Sequence, residues 1–281
     1  MMPSQKMGKS ASLVGMLAIL AGFWLSGPTP ALAQSQEELA KTLANPVASL
    51  ISFPFQGNFD LNFRGAVIDG GYKFLTNIQP VVPFALGKKW NLISRTILPV
   101  VQQANVFGID STQTGLGDTL QSFFFSPAAP SKGLGLIWGA GPVFLLPTGT
   151  DDLLGGGKWG LGPTIVVVKQ TGPWTIGCLA NQIWSFAGKE DRSDVDSFFL
   201  QPFLSRAYKG GFSWALNTEF TQNWEADASV GSINFTAAQI LPVFGQLVQV
   251  SLGPKYWYGS EAVVRARWGV RLNLSFLFPK K

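Results

Sequence analysis

Three arginines near the C-terminus form the clearest chemical pattern in this 281-residue chain. Arg265, Arg267 and Arg271 share the odd-numbered positions of the stretch 264–278, whose even-numbered positions are all apolar until Leu277 interrupts the pattern on the polar side. Successive side chains of a strand point to opposite faces, so this spacing places the guanidinium groups on one face. A helix would distribute the same arginines around its circumference. The stretch is therefore predicted to be a strand with one cationic and one apolar face.

The apolar face of this strand predicts a lipid environment, and the arginines predict an aqueous interior. A strand of more than about ten residues with this alternation is typical of barrels that cross a bilayer. A cation on the lipid face costs roughly 2–4 kcal/mol at the midplane, so arginines at that depth belong in the lumen. The same reasoning assigns the polar faces of the other predicted strands to the lumen. The predicted lumen residues are Gln56, Asn58, Asp60, Lys73, Asn77, Gln79, Arg95, Asn217, Glu219, Asn223, Arg265, Arg267 and Arg271.

This set of polar side chains allows two interpretations. In the first, the lumen is a passage. Barrel closure brings only Asp60 beside the three arginines, with Glu219 elsewhere in the lumen, so a residual positive potential favours anions or polarisable aromatic solutes. In the second, Arg–Glu pairs cross-link the interior and only keep the barrel closed.

The chemical inventory argues against catalysis. The chain contains no histidine, which removes Ser-His and Cys-His catalysis and imidazole metal ligands. Cys178 is the single cysteine, so there is no disulfide framework. The formal net charge of +5, which falls when a signal peptide with two lysines is removed, is too small to indicate nucleic acid as a partner. We therefore predict a protein that is not an enzyme and has no cofactor or metal.

The elements that must position the lumen residues are strands, preceded by a targeting segment. A basic start, an apolar run and the cleavage motif Ala31-Leu32-Ala33 predict a signal peptide over residues 1–33. Residues 34–48 are predicted as a periplasmic segment whose short helix, capped by Ser35, lies either in the periplasm or in the barrel mouth. Residues 49–281 are predicted as an all-β, transmembrane antiparallel β-barrel of about 12 strands.

Composition and connection lengths support a barrel of the outer membrane. Only 13% of residues are charged, about half the usual fraction in soluble proteins. Tight turns such as 87–89 alternate with longer acidic loops such as 148–157 and 188–194, as expected when both termini lie in the periplasm. Seven tryptophans near strand ends are predicted to form interfacial girdles. They are Trp90, Trp159, Trp174, Trp184, Trp214, Trp224 and Trp257.

Seven short motifs, spread from about residue 37 to the C-terminus, resemble those of one bacterial family. They are NPVASLIS (45–52), WNLISRTILP (90–99), GLGD (115–118), QSFFFSP (121–127), GPVFLLPT (141–148), GKWG (157–160) and FLQPF (199–203). The family consists of outer-membrane transporters named after the meta-pathway of phenol degradation. The resemblance implies a barrel with a transport role and supplies no catalytic or ligand residue. Such barrels commonly end in an aromatic residue read by the assembly machinery, whereas here Phe278 is followed by Pro279-Lys280-Lys281.

The leading hypothesis is a β-barrel of the cell outer membrane that passes small solutes, with aromatic or apolar molecules as candidates. The alternative is a structural or surface-interaction barrel that transports nothing. A soluble periplasmic β-protein is disfavoured by the long uncharged strands. The predicted partners are outer-membrane lipid, the outer-membrane assembly machinery and a small-molecule solute whose identity the sequence does not reveal.

Overall fold

The computed structural model describes residues 30–64, 69–107, 110–259 and 267–279. Within them, one helix, α1 (Pro30–Leu43), precedes fourteen strand segments. The strands are β1 (Ile51–Arg64), β2 (Asp69–Ile78), β3 (Val81–Leu86), β4 (Trp90–Ala104), β5 (Thr112–Leu116), β6 (Thr119–Pro127), β7 (Leu136–Leu146), β8 (Lys158–Thr171), β9 (Trp174–Gly188), β10 (Asp196–Ala207), β11 (Phe212–Asn223), β12 (Ala228–Val243), β13 (Gln246–Gly259) and β14 (Trp268–Phe278). In this described part of the chain, no helix is long and apolar enough to span a membrane.

The strands close into a 12-stranded antiparallel barrel. The pairing of β14 with β1, from Ile51 opposite Phe278 onward, joins the two ends of the sheet. Two barrel strands are each interrupted once. β2 and β3 both pair with β4 and are separated at Gln79-Pro80, where proline has no N–H for the ladder. Likewise, β5 and β6 both pair with β4 and are separated at Gly117-Asp118. Fourteen segments therefore form twelve barrel strands, and the predicted fold class is confirmed.

Side chains alternate between the lumen and the outer face of the barrel. Along β8, Thr164, Val166 and Val168 are at most 2% exposed, whereas Ile165 and Val167 between them are 49% and 37% exposed. The period of two that a strand imposes therefore produces a continuous apolar outer face. Exposing so large an apolar surface is unfavourable in water and favourable in the hydrocarbon core of a bilayer.

The two ends of the barrel differ in their connections. The end that carries the start of β1 and the end of β14, which we name the termini end, has tight turns such as 87–89, 172–173 and 244–245. The opposite end, the loop end, has longer connections such as 147–157 and 189–195. This difference agrees with the alternation of turn lengths that the sequence predicts.

Helix α1 and the segment 44–50 lie inside the barrel at the termini end. Ala40 is buried in a cluster with Leu277, the residue that interrupts the polar face of β14, so contact with the helix explains that interruption. Val47 is buried in a second cluster with the lumen-facing Ile93. The structure thus places the helix in the barrel mouth, one of the two locations that the sequence left open.

Two predicted details are wrong. Among the described residues the last strand begins at Trp268, so Arg267, predicted to lie on it in the lumen, precedes it and is exposed, while Arg265 lies outside the described residues. Trp257, expected in an interfacial girdle, points into the lumen, where its indole N–H donates to Asp60 at 2.8 Å. The alternation along β13 turns this side chain inward, and a buried carboxylate two strands away accepts its indole N–H.

Candidate functional site

Two buried ion pairs cross the lumen near the line where the barrel closes. The Arg271 guanidinium donates to both carboxylate oxygens of Glu219, at 2.7 and 2.8 Å, and to Asn58 Oδ1 at 2.8 Å. Lys255 Nζ lies 3.3 Å from Asp60 Oδ2. Four of these residues are at most 3% exposed, and Glu219 is partly exposed. We name the five residues the ionic belt.

The register of β1, β14 and β13 brings four of the five belt residues together. On β1 and β14, Asn58 lies opposite Arg271, and Asp60 lies opposite Gly269. A side chain at Gly269 would collide with the Asp60 carboxylate. The glycine therefore leaves the space through which Asp60 reaches Lys255 on β13.

Trp257 contacts both members of the second ion pair. Its Nε1 donates to Asp60 Oδ1 at 2.8 Å, and Lys255 Nζ lies 3.7 Å from the centroid of its ring. An indole face attracts a cation through its quadrupole, and the attraction is stronger when both groups are desolvated. Lys255 therefore has both a carboxylate and an aromatic face to offset its burial.

The belt corrects the predicted charge balance of the lumen. Arg271 does not belong to an unpaired arginine ladder, because Glu219 reaches it from β11, three strands away around the wall. Asp60 pairs with Lys255 and not with an arginine. The belt carries two positive and two negative side chains, so Arg271 itself adds no unpaired charge. Lys73 and Arg95 lie in the same lumen and form no ion pair among the described residues, so they are the source of any residual positive potential there.

Four more of the predicted residues line a cavity of about 270 Å³ on the termini side of the belt. They are Gln56, Gln79, Arg95 and Asn217. Arg95 Nη2 donates to Gln79 Oε1 at 3.0 Å, and Asn217 Oδ1 accepts from Asn234 Nδ2 at 2.9 Å. Many polar side chains of the cavity therefore already form hydrogen bonds with other side chains of the barrel wall.

The remaining predicted residues occupy other positions. Lys73 and Asn77 lie on β2 opposite Asp60 and Gln56, on the lumen side. Asn223 lies at the exposed end of β11, where its Oδ1 accepts the backbone N–H of Ala226 at 3.1 Å and shapes the turn. The exposed Arg267 precedes β14, and Arg265 is outside the described residues.

The N-terminal segment forms one side of the cavity. Leu43 and Pro46 of this segment face Phe203 of β10 and the polar residues named above. Asn273 also lines the cavity; its Nδ2 donates to Ser251 Oγ at 2.8 Å, while its buried Oδ1 accepts no hydrogen bond from the described residues. A buried acceptor without a donor is costly, and a hydroxyl-bearing solute would satisfy it. The cavity thus combines apolar surface with amide groups and, among its described lining residues, one cation, Arg95, which is bonded to Gln79.

Asp118 organises the wall at the loop end. Its carboxylate accepts the backbone N–H groups of Gly149 and Gly156, at 3.0 and 2.6 Å. Glycine is required beside it, because a side chain at Gly155 would collide with Asp118 Oδ1. One carboxylate therefore folds the connection 147–157 against the β5–β6 interruption.

The same connection is tied to the next loop by Lys189 and Arg192. Lys189 Nζ donates to Asp152 Oδ1 at 2.7 Å, and Arg192 Nη2 donates to the backbone oxygens of Asp152 and Gly155 at 2.6 and 2.7 Å. The hydrogen bond from Lys189 lowers the pKa of the Asp152 carboxyl, and the same bond raises the pKa of Lys189. These contacts join two neighbouring loops at the loop end.

Lys255 and Trp257 are the site residues that the sequence analysis missed. Gly253-Pro254 interrupts the polar-apolar alternation of β13 just before them. The available signal was the strand period of two: counting in steps of two from Gln249 and Ser251, which are polar and face the lumen, reaches Lys255 and Trp257.

Comparison with known proteins places the chain in a family. A solved structure titled "COG4313 outer membrane channel from Pseudomonas putida F1" is 17% identical, with a TM-score of 0.60 over 81% of this chain and 93% of that one. A structure titled "TodX monoaromatic hydrocarbon channel deltaS2 mutant" is 9% identical, with a TM-score of 0.38 over 83% and 90% of the two chains. No curated protein matches the sequence. Residues 52–275 match the model of one family, and the chain therefore belongs to the family described as "Putative MetA-pathway of phenol degradation".

Proposed function

We propose that this protein is a channel of the cell outer membrane for small neutral solutes with apolar or aromatic bodies. The observation that carries the proposal is the paired ionic belt, which closes its four charges on one another above a cavity whose described lining of amides and apolar groups includes a single cation, Arg95. The apolar outer face suits a bilayer. Membership of a family named for phenol degradation and the fold shared with an outer membrane channel support the same function.

The pairing of charges explains the preference for neutral solutes. An ion must shed part of its hydration to pass a narrow lumen, and an unpaired charge of opposite sign would offset that cost. Arg271 and Asp60 offer little compensation because each already has its own partner. A phenol-like molecule has less hydration to lose, and its ring and hydroxyl group match Phe203 and the Asn273 acceptor on the cavity wall.

A second function is supported by the same interior. The ionic belt cross-links the wall, and α1 with the segment 44–50 fills the termini end, as expected of a barrel that only stabilises the envelope or binds a partner. The two functions differ in what happens to the segment. A channel requires it to move or to leave a route beside it, whereas a structural barrel does not.

Recordings in planar bilayers distinguish the two functions. For a channel we expect a small current with at most a weak preference for anions, due to Lys73 and Arg95, and a larger current when residues 34–47 are deleted. Phenol should reduce this current more than benzoate, which is similar in size but anionic. Ala215→Trp fills the cavity and should abolish the phenol effect, whereas Ala180→Trp on the outer face is the matched control.

Two results would contradict the channel. The absence of current from both the full chain and the deletion variant would leave the structural barrel standing. A strong preference for anions in the full chain would show that the paired belt does not set selectivity.

A further inference from the structure

Arg206 lies on the outer face of β10, close to the termini end, between two aromatic rings. Its guanidinium carbon is 5.1 Å from the centroid of the Trp174 ring and 4.8 Å from that of Tyr208. Trp214 completes the cluster: it packs edge-on against Trp174, with centroids 5.6 Å apart, and its Nε1 donates to Tyr208 Oη at 3.2 Å. We name these four residues the Arg206 cage.

The cationic group of the cage has no partner of opposite charge in the described protein. Arg206 Nε is buried without a hydrogen-bond partner, and every ion pair among the described residues is made elsewhere. Two aromatic faces hold the guanidinium plane in place while its N–H groups stay unused. A guanidinium held in this way is suited to a phosphate, which it binds through two parallel N–H donors.

An apolar groove of about 730 Å³ on the outer face adjoins the cage. Leu204, Ile176 and Leu216 line it, and each is two residues, roughly 7 Å, further into the wall than the cage residue on its strand. The smaller Cys178 and Pro202 also line the groove, and we name them its floor. Pro202 cannot donate to the ladder, and pairing between β10 and β11 is interrupted beside it.

A second cation stands at the edge of this groove. Lys169 of β8 lies opposite Ile176 and lines the groove on the same side as the cage. The outer face here thus has positive charge at the level of the strand ends and apolar surface further in. Aromatic residues near strand ends mark the headgroup level of a bilayer, so the charge lies among headgroups and the groove among acyl chains.

We propose that the Arg206 cage and this groove form a binding site for one anionic phospholipid. The phosphate lies on Arg206 and within reach of Lys169, and one acyl chain occupies the groove. A zwitterionic lipid binds less well, because its own cationic group is brought close to two protein cations. The site is separate from the lumen and does not depend on the solute that the barrel admits.

Native mass spectrometry of the full chain in detergent tests the site, with dioleoylphosphatidylglycerol and dioleoylphosphatidylcholine as probes. We expect about tenfold tighter binding of the anionic lipid, as is reasonable for a charge-assisted bidentate contact. Arg206→Gln should remove this preference and leave phosphatidylcholine binding unchanged. Lys132→Gln, in an exposed turn at the same end of the barrel, is the matched control and should have no effect.

A second variant tests the groove independently of charge. Cys178→Trp fills the floor and should weaken the binding of both lipids, even if Arg206→Gln does not fold. Equal binding of the two lipids by the native chain would overturn the proposal, as would a preference that survives Arg206→Gln. Unchanged lipid binding by Cys178→Trp would show that no acyl chain occupies the groove.

Discussion

The ion pair between Arg271 and Glu219 allows a quantitative test of the lumen. The Arg271 side chain is 3% exposed and that of Glu219 is 24% exposed. Glu219→Gln leaves the Arg271 charge buried with one neutral partner, Asn58, and a neutral amide in place of two charge-assisted bonds. The substitution preserves size and shape, so the change in free energy reports mainly on charge.

The expected cost follows from the burial of the pair. Removing one partner of a buried ion pair costs about 3–5 kcal/mol, because the other charge stays buried without compensation. Since water reaches Glu219, we expect the lower end, about 3 kcal/mol, in the free energy of unfolding. Replacing both partners with Glu219→Leu and Arg271→Met leaves no unpaired charge and should cost about 1 kcal/mol or less.

Urea titration in detergent micelles, followed by tryptophan fluorescence, measures these differences. Asp152→Asn removes an exposed ion pair at the loop end and is the control, for which we expect no measurable change. If Glu219→Gln destabilises the barrel no more than the double replacement, the pair is not a desolvated cross-link. Burial of the Arg271 charge would then not account for the stability of the lumen.

Three further predictions concern the barrel and its loops. The detergent-solubilised protein should migrate differently on gels before and after boiling, and identical migration would argue against a closed membrane barrel. In a Cys178→Ser background, Asp151→Cys should be labelled on intact cells and Lys209→Cys should not; the reverse would invert the topology. The lowered pKa of Asp152 means that its ion pair with Lys189 is fully formed above the ordinary carboxyl pKa and is lost as the pH falls through the lower, folded-state value. A spin label at Leu153 should therefore gain mobility in acid. In an Asp152→Asn variant its mobility should be high at every pH. An equal response to acid in both proteins would show that the ion pair between Asp152 and Lys189 does not restrain the loop.

The sequence by itself determined the barrel and the direction of most of its polar side chains. Alternation is a local property, because a strand turns successive side chains to opposite faces whatever it pairs with. The inward positions of Asn58, Asp60 and Arg271 follow from their odd or even numbers alone, together with the lipid on the other side. The family was visible for a related reason: its motifs are short, contiguous segments.

The tertiary structure alone decided which of these side chains meet. Glu219 and Arg271 are 52 residues apart, and their contact depends on barrel curvature, which no local pattern encodes. Asp60 contacts Lys255 only because Gly269, on the strand between them, has no side chain to block the carboxylate. The position of α1 likewise depends on apolar lumen residues contributed by distant strands. The type of a residue sets the sign of its charge, but the group that neutralises it is found only after the strands curve and close into a barrel. The pairs Arg271–Glu219 and Lys255–Asp60 therefore could not be predicted from the sequence.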